Sequence, residues 1–507
     1  MPFGEDFRFM QFHSVTFMVF FPLVLAVYFI IPKRLRMYWL LLASYYFYMS
    51  WSARYAILIG GSTVVTYCSA LLFSRFTEQE NGSKRKNAVL IACLCINLGI
   101  LAIFKYGNFG IDSLNRILTL FGLSLIPGRL HFLLPVGISF YTFQALGYMI
   151  DVYRGDVEAE KNFFRYALFV SFFPQLVAGP IERSKNLLAQ MREIETLRLW
   201  DMRRITSGAI LMTWGFFMKM VIADRASILA DTVFNRYRMY GRTELVLAVI
   251  CFAIQIYCDF GSYSMIAIGA ARIMGFRLME NFNAPFFSGS IREFWGRWHI
   301  SLGTWFRDYL YIPLGGSRNG IVKKSVNTMI VFVASGLWHG ANWSFVVWGA
   351  LHGMYQVAGD LSARFFDRLL SGLHVKTDCF SWQLLRTVRT NILFLLSLIF
   401  FRADSVSDAC SILKRIVTRP TPWLLFDGGI FTLGLDRTEL GILLLSVVIL
   451  FAVDLIRFRK QQMPDDFLFS QNVWFEWFVV AGLILMIVTF GEYGPAFDAK
   501  QFIYFQF

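Results

Sequence analysis

The stretch MIVFVASGLWHGANWSFVV, residues 329–347, carries no Asp, Glu, Lys or Arg over its nineteen residues and contains one histidine, His339. Its length approaches the roughly 20 residues that an α-helix needs to cross a bilayer. An ionisable imidazole in hydrocarbon is costly, so a histidine in such a segment usually has a function. The stretch therefore predicts a membrane protein whose functional site includes His339.

A second histidine lies forty residues upstream, at the end of REFWGRWH, residues 292–299. The surrounding segment, residues 281–325, is rich in Arg, Trp, Pro and Gly and is too polar to face lipid. Irregular backbone at membrane depth is tolerated only where protein or a water-filled cavity surrounds it. We therefore predict that residues 281–325 form a re-entrant segment of short helices lining a pore.

The composition indicates the class of protein. Of the 507 residues, 56% are hydrophobic and only 16% are charged, which is too apolar for a soluble chain of this length. The apolar runs predict an all-α polytopic membrane protein of roughly 10–12 transmembrane helices, with re-entrant and interfacial helices around a central funnel. One interfacial helix is expected over residues 182–206, where charges alternate with apolar residues. No linker is visible, so residues 1–507 are predicted to form a single domain.

The charge distribution predicts the orientation. Basic clusters at residues 33–36 and 84–86 follow the first and third apolar runs, and a third cluster at residues 457–460 precedes the last one. The positive-inside rule places all three in the cytoplasm and both termini outside. The net charge of +14 suits cytoplasmic loops and anionic lipid headgroups, and no nucleic-acid-binding motif accompanies it. The seven cysteines lack paired spacing, which predicts no metal site.

Several blocks, in order along the chain, resemble the membrane-bound O-acyltransferase family, and most closely its bacterial branch that acetylates alginate-like exopolysaccharides. Beside the two histidine blocks they are LPVGISFYTFQ (134–144), FPQLVAGPI (173–181), QIYCDF (255–260) and QFIYFQF (501–507). The resemblance implies an O-acyltransferase that passes an acyl group, expected to be acetyl from acetyl-CoA, across the bacterial cytoplasmic membrane to an extracellular or cell-wall polysaccharide. It further implies an extracytoplasmic serine-hydrolase-like acetyltransferase partner, contact with membrane lipid and no permanently bound cofactor.

Acyl transfer from a thioester to a hydroxyl needs a base, and a neutral imidazole with a reference pKa near 6.5 suits that task. His339 is the predicted general base; the alternative is a buried histidine that hydrogen-bonds between helices. Other branches of the family carry Asn or Asp where this chain has His299. That residue is predicted to orient the acceptor or to bind the thioester oxygen, or alternatively to support the fold. The remaining histidines are expected to be structural or interfacial: His13, His131, His352 and His374.

Three arginines flank His299 in sequence. Arg292, Arg297 and Arg307 are predicted to attract the phosphates of coenzyme A, because guanidinium binds phosphate oxygens bidentately. The alternative is that they form ion pairs with Glu293 and Asp308.

Tyr504 lies in the terminal aromatic motif, residues 501–507, which the charge distribution places outside the membrane. The resemblance implies that such a tyrosine relays the acyl group to the partner. The alternative is an aromatic anchor at the membrane interface.

Asp259 follows an apolar run and is expected to hold a helix break by accepting backbone N–H groups, rather than to take part in catalysis. Buried His and Asp also mark transport pathways. A transporter or flippase of an acylated lipid or polymer is therefore an alternative function. A second alternative keeps the enzyme and changes its acceptor to peptidoglycan or another cell-wall glycan.

Overall fold

A computed structural model of the chain describes residues 10–77, 82–130, 134–177 and 179–493. Within these ranges no strand forms, and the one β-bridge is an isolated antiparallel pairing of Phe282 with Trp298. The all-α class is confirmed. The α-helices are α1 (Val15–Ile30), α2 (Arg36–Met49), α3 (Ala56–Phe76), α4 (Gly82–Leu101), α5 (Gly107–Leu120), α6 (Ile138–Arg154), α7 (Phe163–Ser171), α8 (Phe173–Leu176), α9 (Ala189–Arg192), α10 (Met202–Phe216), α11 (Asp224–Phe234), α12 (Arg242–Met274), α13 (Ile291–Arg297), α14 (Ile300–Phe306), α15 (Gly320–His339), α16 (Trp343–Gly372), α17 (Phe380–Arg402), α18 (Val406–Thr418), α19 (Arg437–Lys460), α20 (Pro464–Phe469) and α21 (Val473–Phe490).

In the described part of the chain, eight helical stretches are long and apolar enough to cross a membrane, which confirms the multi-pass architecture. The sequence suggests a larger number because some apolar runs are broken into shorter helices. The run at residues 163–178, for example, divides into α7 and α8 at Phe172, whose backbone is not helical, and Pro174 lies in the first turn of α8. The eight stretches are Ala53–Phe76, Gly82–Leu120, Met202–Phe234, Arg242–Met274, Gly320–His339, Phe380–Arg402, Arg437–Lys460 and Val473–Phe490.

The chain forms two compact units. The first comprises Met1–Met212 with Ile266–Met279, and its core is strongly aromatic. The ring of Phe173 lies 5.5 Å from that of Phe20 and 5.8 Å from that of Phe47, measured between centroids. In the same unit α10 and α12 cross at two glycines, since a Cβ built on Gly208 would lie 2.6 Å from the carbonyl oxygen of Gly269.

The prediction of an interfacial helix over residues 182–206 is wrong. Helical structure there is interrupted: it consists of a π-helical turn, Ser184–Leu188, the single turn of α9, and the first residues of α10, which begins at Met202. The backbone instead bonds to side chains far away in sequence, because Arg36 on α2 donates to the carbonyl of Leu197 at 3.2 Å.

The side chain of Glu182, at the start of the same segment, is also buried. Its carboxylate accepts from the backbone N–H of Met279 and, at 2.7 Å, from the side-chain amide of Asn186. Burial raises the pKa of Glu182 to about 7.

The second unit comprises Thr213–Met265 with Glu280–Phe507, and it contains both histidine blocks. The stretch 329–347 is a helical hairpin rather than one continuous span: α15 ends at His339 and α16 begins at Trp343. The two helices are in direct backbone contact, since a Cβ on Gly336 would lie 2.3 Å from the carbonyl oxygen of Phe345, and one on Gly349 would lie 2.3 Å from that of Phe332. The hairpin therefore requires glycine at both positions.

Within residues 281–325, two helices of seven residues each, α13 and α14, follow a 3-10 turn at Pro285–Phe287. A π-helical turn, Arg307–Tyr311, continues from α14. That this segment lines a pore stays a prediction.

Candidate active site

His339 is the last residue of α15 and is 3% exposed. The turn that follows has strict requirements. A Cβ on Gly340 would lie 2.2 Å from the ring of Phe345, so only glycine fits. Asn342 caps α16 by accepting the backbone N–H of Ser344 at 3.1 Å, and its amide donates to the carbonyl of Asp404 at 2.8 Å. The GAN sequence after His339 thus fixes the end of the helix and the position of the imidazole.

His299 is fully buried and has a backbone φ of +46°, in the left-handed region that non-glycine residues rarely adopt. Neighbouring residues impose this conformation. The backbone N–H of Ile300 donates to the carbonyl of Asn281 at 3.0 Å, and the bridge between Phe282 and Trp298 lies on the other side of His299. A left-handed residue held in this way is a frequent mark of a functional site.

The hairpin and the segment before α14 bring the two histidines together. Their ring centroids lie 6.2 Å apart. At this separation one small group can contact both rings. Burial lowers the pKa of His299 to about 3, so this imidazole is neutral at neutral pH. His299 can therefore donate a hydrogen bond without placing a positive charge in the buried site.

Aromatic side chains enclose this pair. The ring of Phe260 lies 4.6 Å from that of His299, and Trp338 lies 5.7 Å from His299. Around His339 the rings are contributed by α15, α16 and α17: Trp338 at 5.0 Å, Trp348 at 5.1 Å and Phe401 at 5.6 Å. Such a lining excludes water from a reacting group. Sequence reasoning did not select Trp348 or Phe401, which lie in ordinary apolar helices.

His352 is structural, as expected. Its ring lies 5.0 Å from that of Trp348, which separates it from His339. The indole N–H of Trp295 donates to Nδ1 at 3.3 Å, so Nδ1 carries a lone pair and the proton is on Nε2. Nε2 lies 2.8 Å from the hydroxyl of Ser397, which itself donates to the carbonyl of Phe394. Both ring nitrogens are therefore used in holding α13, α16 and α17 together.

Asp259 does not break a helix, so that expectation is wrong. It lies inside the 33-residue helix α12, where its carboxylate is 2.6 Å from the ammonium of Lys219. Lys219 lies in a π-helical turn, Phe217–Ala223, and also contacts Asp224 at 2.9 Å. All three side chains are at most 7% exposed. The sequence signal for this cluster is the single lysine, Lys219, in the apolar run at residues 208–222.

The three arginines each contact a carboxylate. Arg307 is 2.8 Å from Asp308 and Arg297 is 3.1 Å from Glu293, as the ion-pair alternative expects, whereas Arg292 pairs with Asp360. Their exposure differs: the side chains of Arg292 and Arg307 are 57% and 61% exposed, and that of Arg297 is 18% exposed.

Arg297 also stacks over the ring of Phe458, with its guanidinium carbon 4.7 Å from the ring centroid. Of the other residues selected from the sequence, Tyr504 and His131 lie outside the described residues.

Comparison with known proteins places this site in a family. The model of the membrane-bound O-acyltransferase family matches residues 159–401, which include His299, His339 and the three arginines. The chain is 38% identical over 457 residues to the protein named "Probable alginate O-acetylase AlgI" of Pseudomonas aeruginosa, covering 90% of this chain and 83% of that protein.

Two further relatives act, by name, on other polymers. "Peptidoglycan O-acetyltransferase" of Helicobacter pylori is 34% identical over 406 residues, or 75% of this chain and 73% of that protein. "Teichoic acid D-alanyltransferase" of Bacillus subtilis is 27% identical over 228 residues, or 43% of this chain and 56% of that protein. The similarity to enzymes over most of the chain removes the support for a transporter. With its helical membrane architecture and its matched histidine region, the chain belongs to the membrane-bound O-acyltransferase family and is an O-acyltransferase.

Proposed function

We propose that this enzyme transfers an acetyl group from acetyl-CoA for the O-acetylation of an extracellular polysaccharide, with His339 as the general base. The observation that carries the proposal is the close pair of buried imidazoles, His339 and His299, within one aromatic lining. The acceptor class rests on the relatives, which are named for alginate, peptidoglycan and teichoic acid.

The reaction requires two proton transfers: one from the acceptor hydroxyl to His339, and one from His339 to the leaving sulfur. Neutral His339 takes the proton of an acceptor hydroxyl as that oxygen attacks the thioester carbonyl. The new C–O bond forms, the C–S bond breaks, and the imidazolium returns the proton to the leaving thiolate. The products are an ester and coenzyme A. The apolar lining makes the imidazolium costly, so it favours rapid return of the proton.

His299 is proposed to position the reacting groups. Because its imidazole is neutral, its N–H can donate to the thioester oxygen as negative charge develops there. The left-handed backbone sets the direction of the Cα–Cβ bond, and contacts with the rings of Phe260 and Trp338 restrict rotation of the imidazole. The base would then act on the attacking hydroxyl and the hydrogen-bond donor on the carbonyl oxygen of the same thioester, from separate segments of the second unit.

The donor is proposed to enter at the beginning of α15. Arg292 and Lys324 share the carboxylate of Asp360 there, with Lys324 at 2.6 Å. Fifteen residues of helix separate Lys324 from His339, which corresponds to about 22 Å, a distance on the scale of the extended pantetheine arm of coenzyme A. The exposed guanidinium groups of Arg292 and Arg307 would attract the nucleotide phosphates, while the contacts of Arg297 favour a structural ion pair.

The orientation follows from charge. The start of α15 carries Lys323 and Lys324 and is assigned to the cytoplasmic side of a bacterial cytoplasmic membrane. His339 is then reached from the inside, and both termini lie outside.

Tyr504 is proposed as the acceptor hydroxyl in the first transfer. Glu492, twelve residues earlier, pairs with Arg225 at 2.6 Å, and its backbone N–H donates to the carbonyl of Met220. Twelve residues reach at most roughly 40 Å, which leaves a wide range of accessible positions. An extracytoplasmic serine-hydrolase-like partner would then move the acetyl group to the polysaccharide.

The test is transfer of label from acetyl-CoA by purified protein in nanodiscs. We expect the wild type to release coenzyme A and to acquire an acetyl label, and His339→Ala to do neither while remaining monodisperse. His374→Asn, which removes an exposed imidazole at a position whose left-handed backbone asparagine tolerates, is the matched control and should behave as wild type. Labelling by His339→Ala at the wild-type rate would refute the role of the base, and absence of any reaction with acetyl-CoA in the wild type would refute the donor.

Peptidoglycan is the second candidate acceptor, favoured by 34% identity to the Helicobacter pylori enzyme. Ester-linked acetate in separated exopolysaccharide and peptidoglycan fractions distinguishes the two. Loss from the exopolysaccharide alone in cells carrying His339→Ala supports the first acceptor, and loss from peptidoglycan alone supports the second.

A further inference from the structure

A basic cavity lies in the second unit, away from the two histidines. It measures about 410 Å³ and is lined by Tyr237, Arg238, Ser411, Lys414, Arg415, Thr418 and Arg419. Four of these seven side chains are cationic and none is acidic. A concave site with this charge suits an anionic group.

Most of the positive charge of the cavity is not neutralised by an ion pair among the described residues. Among the described residues, the side chains of Lys414 and Arg419 form no ion pair, and the nearest contact of Arg238 with a carboxylate is 3.9 Å, to Asp408. Arg415 donates from Nε and Nη2 to the carbonyl of Tyr240, at 2.9 Å and 2.7 Å, which fixes its guanidinium without removing its charge. The charge therefore remains available to a ligand.

The cavity is located at the end of a membrane-spanning helix. Arg242, the first residue of α12, donates its backbone N–H to the carbonyl of Arg419 at 2.7 Å. Its side chain donates to the carbonyls of Ile416 and Val417 at 2.6 Å and 2.7 Å. The end of α18 is therefore fastened to the start of a span, which is the level of the lipid headgroups.

Apolar side chains flank the cations. Met239, next to Arg238, is 77% exposed, and Val417, next to Thr418, is 71% exposed. Trp423, a few residues beyond α18, is 58% exposed, and tryptophan is typical of the membrane interface. A water-filled site for a soluble acidic glycan does not need such neighbours, whereas acyl chains would cover them.

We propose that this cavity binds the headgroup of an anionic phospholipid, with Arg238, Lys414, Arg415 and Arg419 around the phosphate and the acyl chains against Met239 and Val417. Ser411 would donate to a remaining headgroup oxygen, while the hydroxyl of Thr418 donates to the carbonyl of Lys414 at 2.8 Å. The site does not depend on the proposed acetyl transfer.

The test is native mass spectrometry of detergent-purified protein titrated with dioleoyl phosphatidylglycerol or dioleoyl phosphatidylcholine. We expect one phosphatidylglycerol to bind preferentially to the wild type. The double variant Lys414→Gln/Arg419→Gln should lose about 30-fold in that affinity, since each basic residue near an anionic lipid contributes about fivefold. Arg364→Gln/Arg368→Gln, which removes two exposed charges four residues apart on α16, is the matched control and should bind as wild type.

Ser411→Leu gives a second measurement that leaves every charge in place. It fills the cavity and should also weaken phosphatidylglycerol binding. Equal phosphatidylglycerol binding by wild type, Lys414→Gln/Arg419→Gln and Ser411→Leu would overturn the proposal. So would displacement of the bound lipid from the wild type by a short oligouronate, which would assign the cavity to an acidic glycan.

Discussion

The ammonium of Lys219 lies 2.6 Å from the carboxylate of Asp259, with both side chains almost fully buried. Asp259 precedes Phe260, whose ring packs on His299 at 4.6 Å. The ion pair is therefore adjacent in sequence to Phe260, an aromatic residue that lines the candidate active site. Asp224 completes the cluster at 2.9 Å from the same ammonium.

Lys219→Met should destabilise the protein strongly. It leaves two buried carboxylates without their cation, and removal of one partner of a buried pair typically costs about 3–5 kcal/mol. We expect loss of monodisperse protein in size-exclusion chromatography and a lower thermal midpoint. Lys376→Met, at an exposed lysine, should change neither. The triple variant Lys219→Met/Asp224→Asn/Asp259→Asn should recover much of the loss, and a triple variant as unstable as Lys219→Met would argue against an electrostatic cause.

His299→Asn should retain much more activity than His299→Ala. Asparagine keeps a hydrogen-bond donor and tolerates the left-handed backbone, whereas alanine does neither. Loss of one donor to a developing oxyanion typically costs 10²–10³-fold in rate, so we expect about that reduction for alanine and a loss of about tenfold or less for asparagine.

The pH dependence of His299→Asn provides an independent check. Because the pKa of His299 is about 3, its imidazole does not titrate between pH 5 and 9. The acid limb of the rate profile should therefore stay where it is in the wild type. A displaced limb would show that His299 itself takes up the proton.

Tyr504→Phe removes one oxygen and keeps the aromatic ring. A relay needs the phenol as nucleophile, while an anchor needs only the ring, so the variant should accumulate normally and transfer no acetyl group to the polymer. Mass spectrometry of the C-terminal peptide of the wild type, isolated without the partner, should show an acetyl adduct on Tyr504. Full acetylation of the polymer by Tyr504→Phe would refute the relay and leave only the role of an aromatic anchor for the motif.

Glu182→Gln should flatten the pH dependence of stability. The folded pKa of about 7 exceeds the ordinary value of 4.5, so the folded state holds this proton more tightly than the unfolded chain. The resulting stabilisation is complete below pH 4.5 and is lost as the pH rises through 7, by on the order of 3 kcal/mol. Burial is the main cause of the raised pKa, and the hydrogen bonds from the backbone N–H of Met279 and the side-chain amide of Asn186 are the largest contributions that oppose it.

Thermal unfolding of wild type and Glu182→Gln between pH 5 and 8 measures this difference. Glu158→Gln, at an exposed position, should retain the slope of the wild type. An identical slope for Glu182→Gln and wild type would show that Glu182 is ionised in the fold throughout this range.

Sequence patterns predicted the all-α class and the prominence of the two histidines because apolar run length and an ionisable group in such a run are local properties. They did not predict the turn between α15 and α16. Gly340, Ala341 and Asn342 are too few to interrupt the apolarity of residues 329–347, and the need for glycine at 340 comes from the ring of Phe345.

Long-range partners explain the remaining differences. The charge alternation at residues 182–206 is typical of an interfacial helix. In the structure, however, the guanidinium of Arg36 donates to the carbonyl of Leu197, and the backbone N–H of Met279 donates to the carboxylate of Glu182. Similarly, the sequence suggested a helix break at Asp259. The carboxylate of Asp259 pairs instead with the ammonium of Lys219, and α12 continues through this residue. A charged residue in an apolar run can indicate that a partner is needed, but the local sequence does not identify a partner tens to hundreds of residues away.

The contact between Gly336 and Gly349 joins residues only thirteen positions apart. Closing so short a loop costs little chain entropy, so the α15–α16 hairpin can assemble while later parts of the chain are still being synthesised. His339 would then reach the tip of a preformed helix pair before α17 and α21 have entered the membrane. The order in which the helices insert, and not only the final packing, would then determine how deep in the membrane His339 lies. Substitutions at Gly336 and Gly349 should therefore first impair membrane insertion during translation.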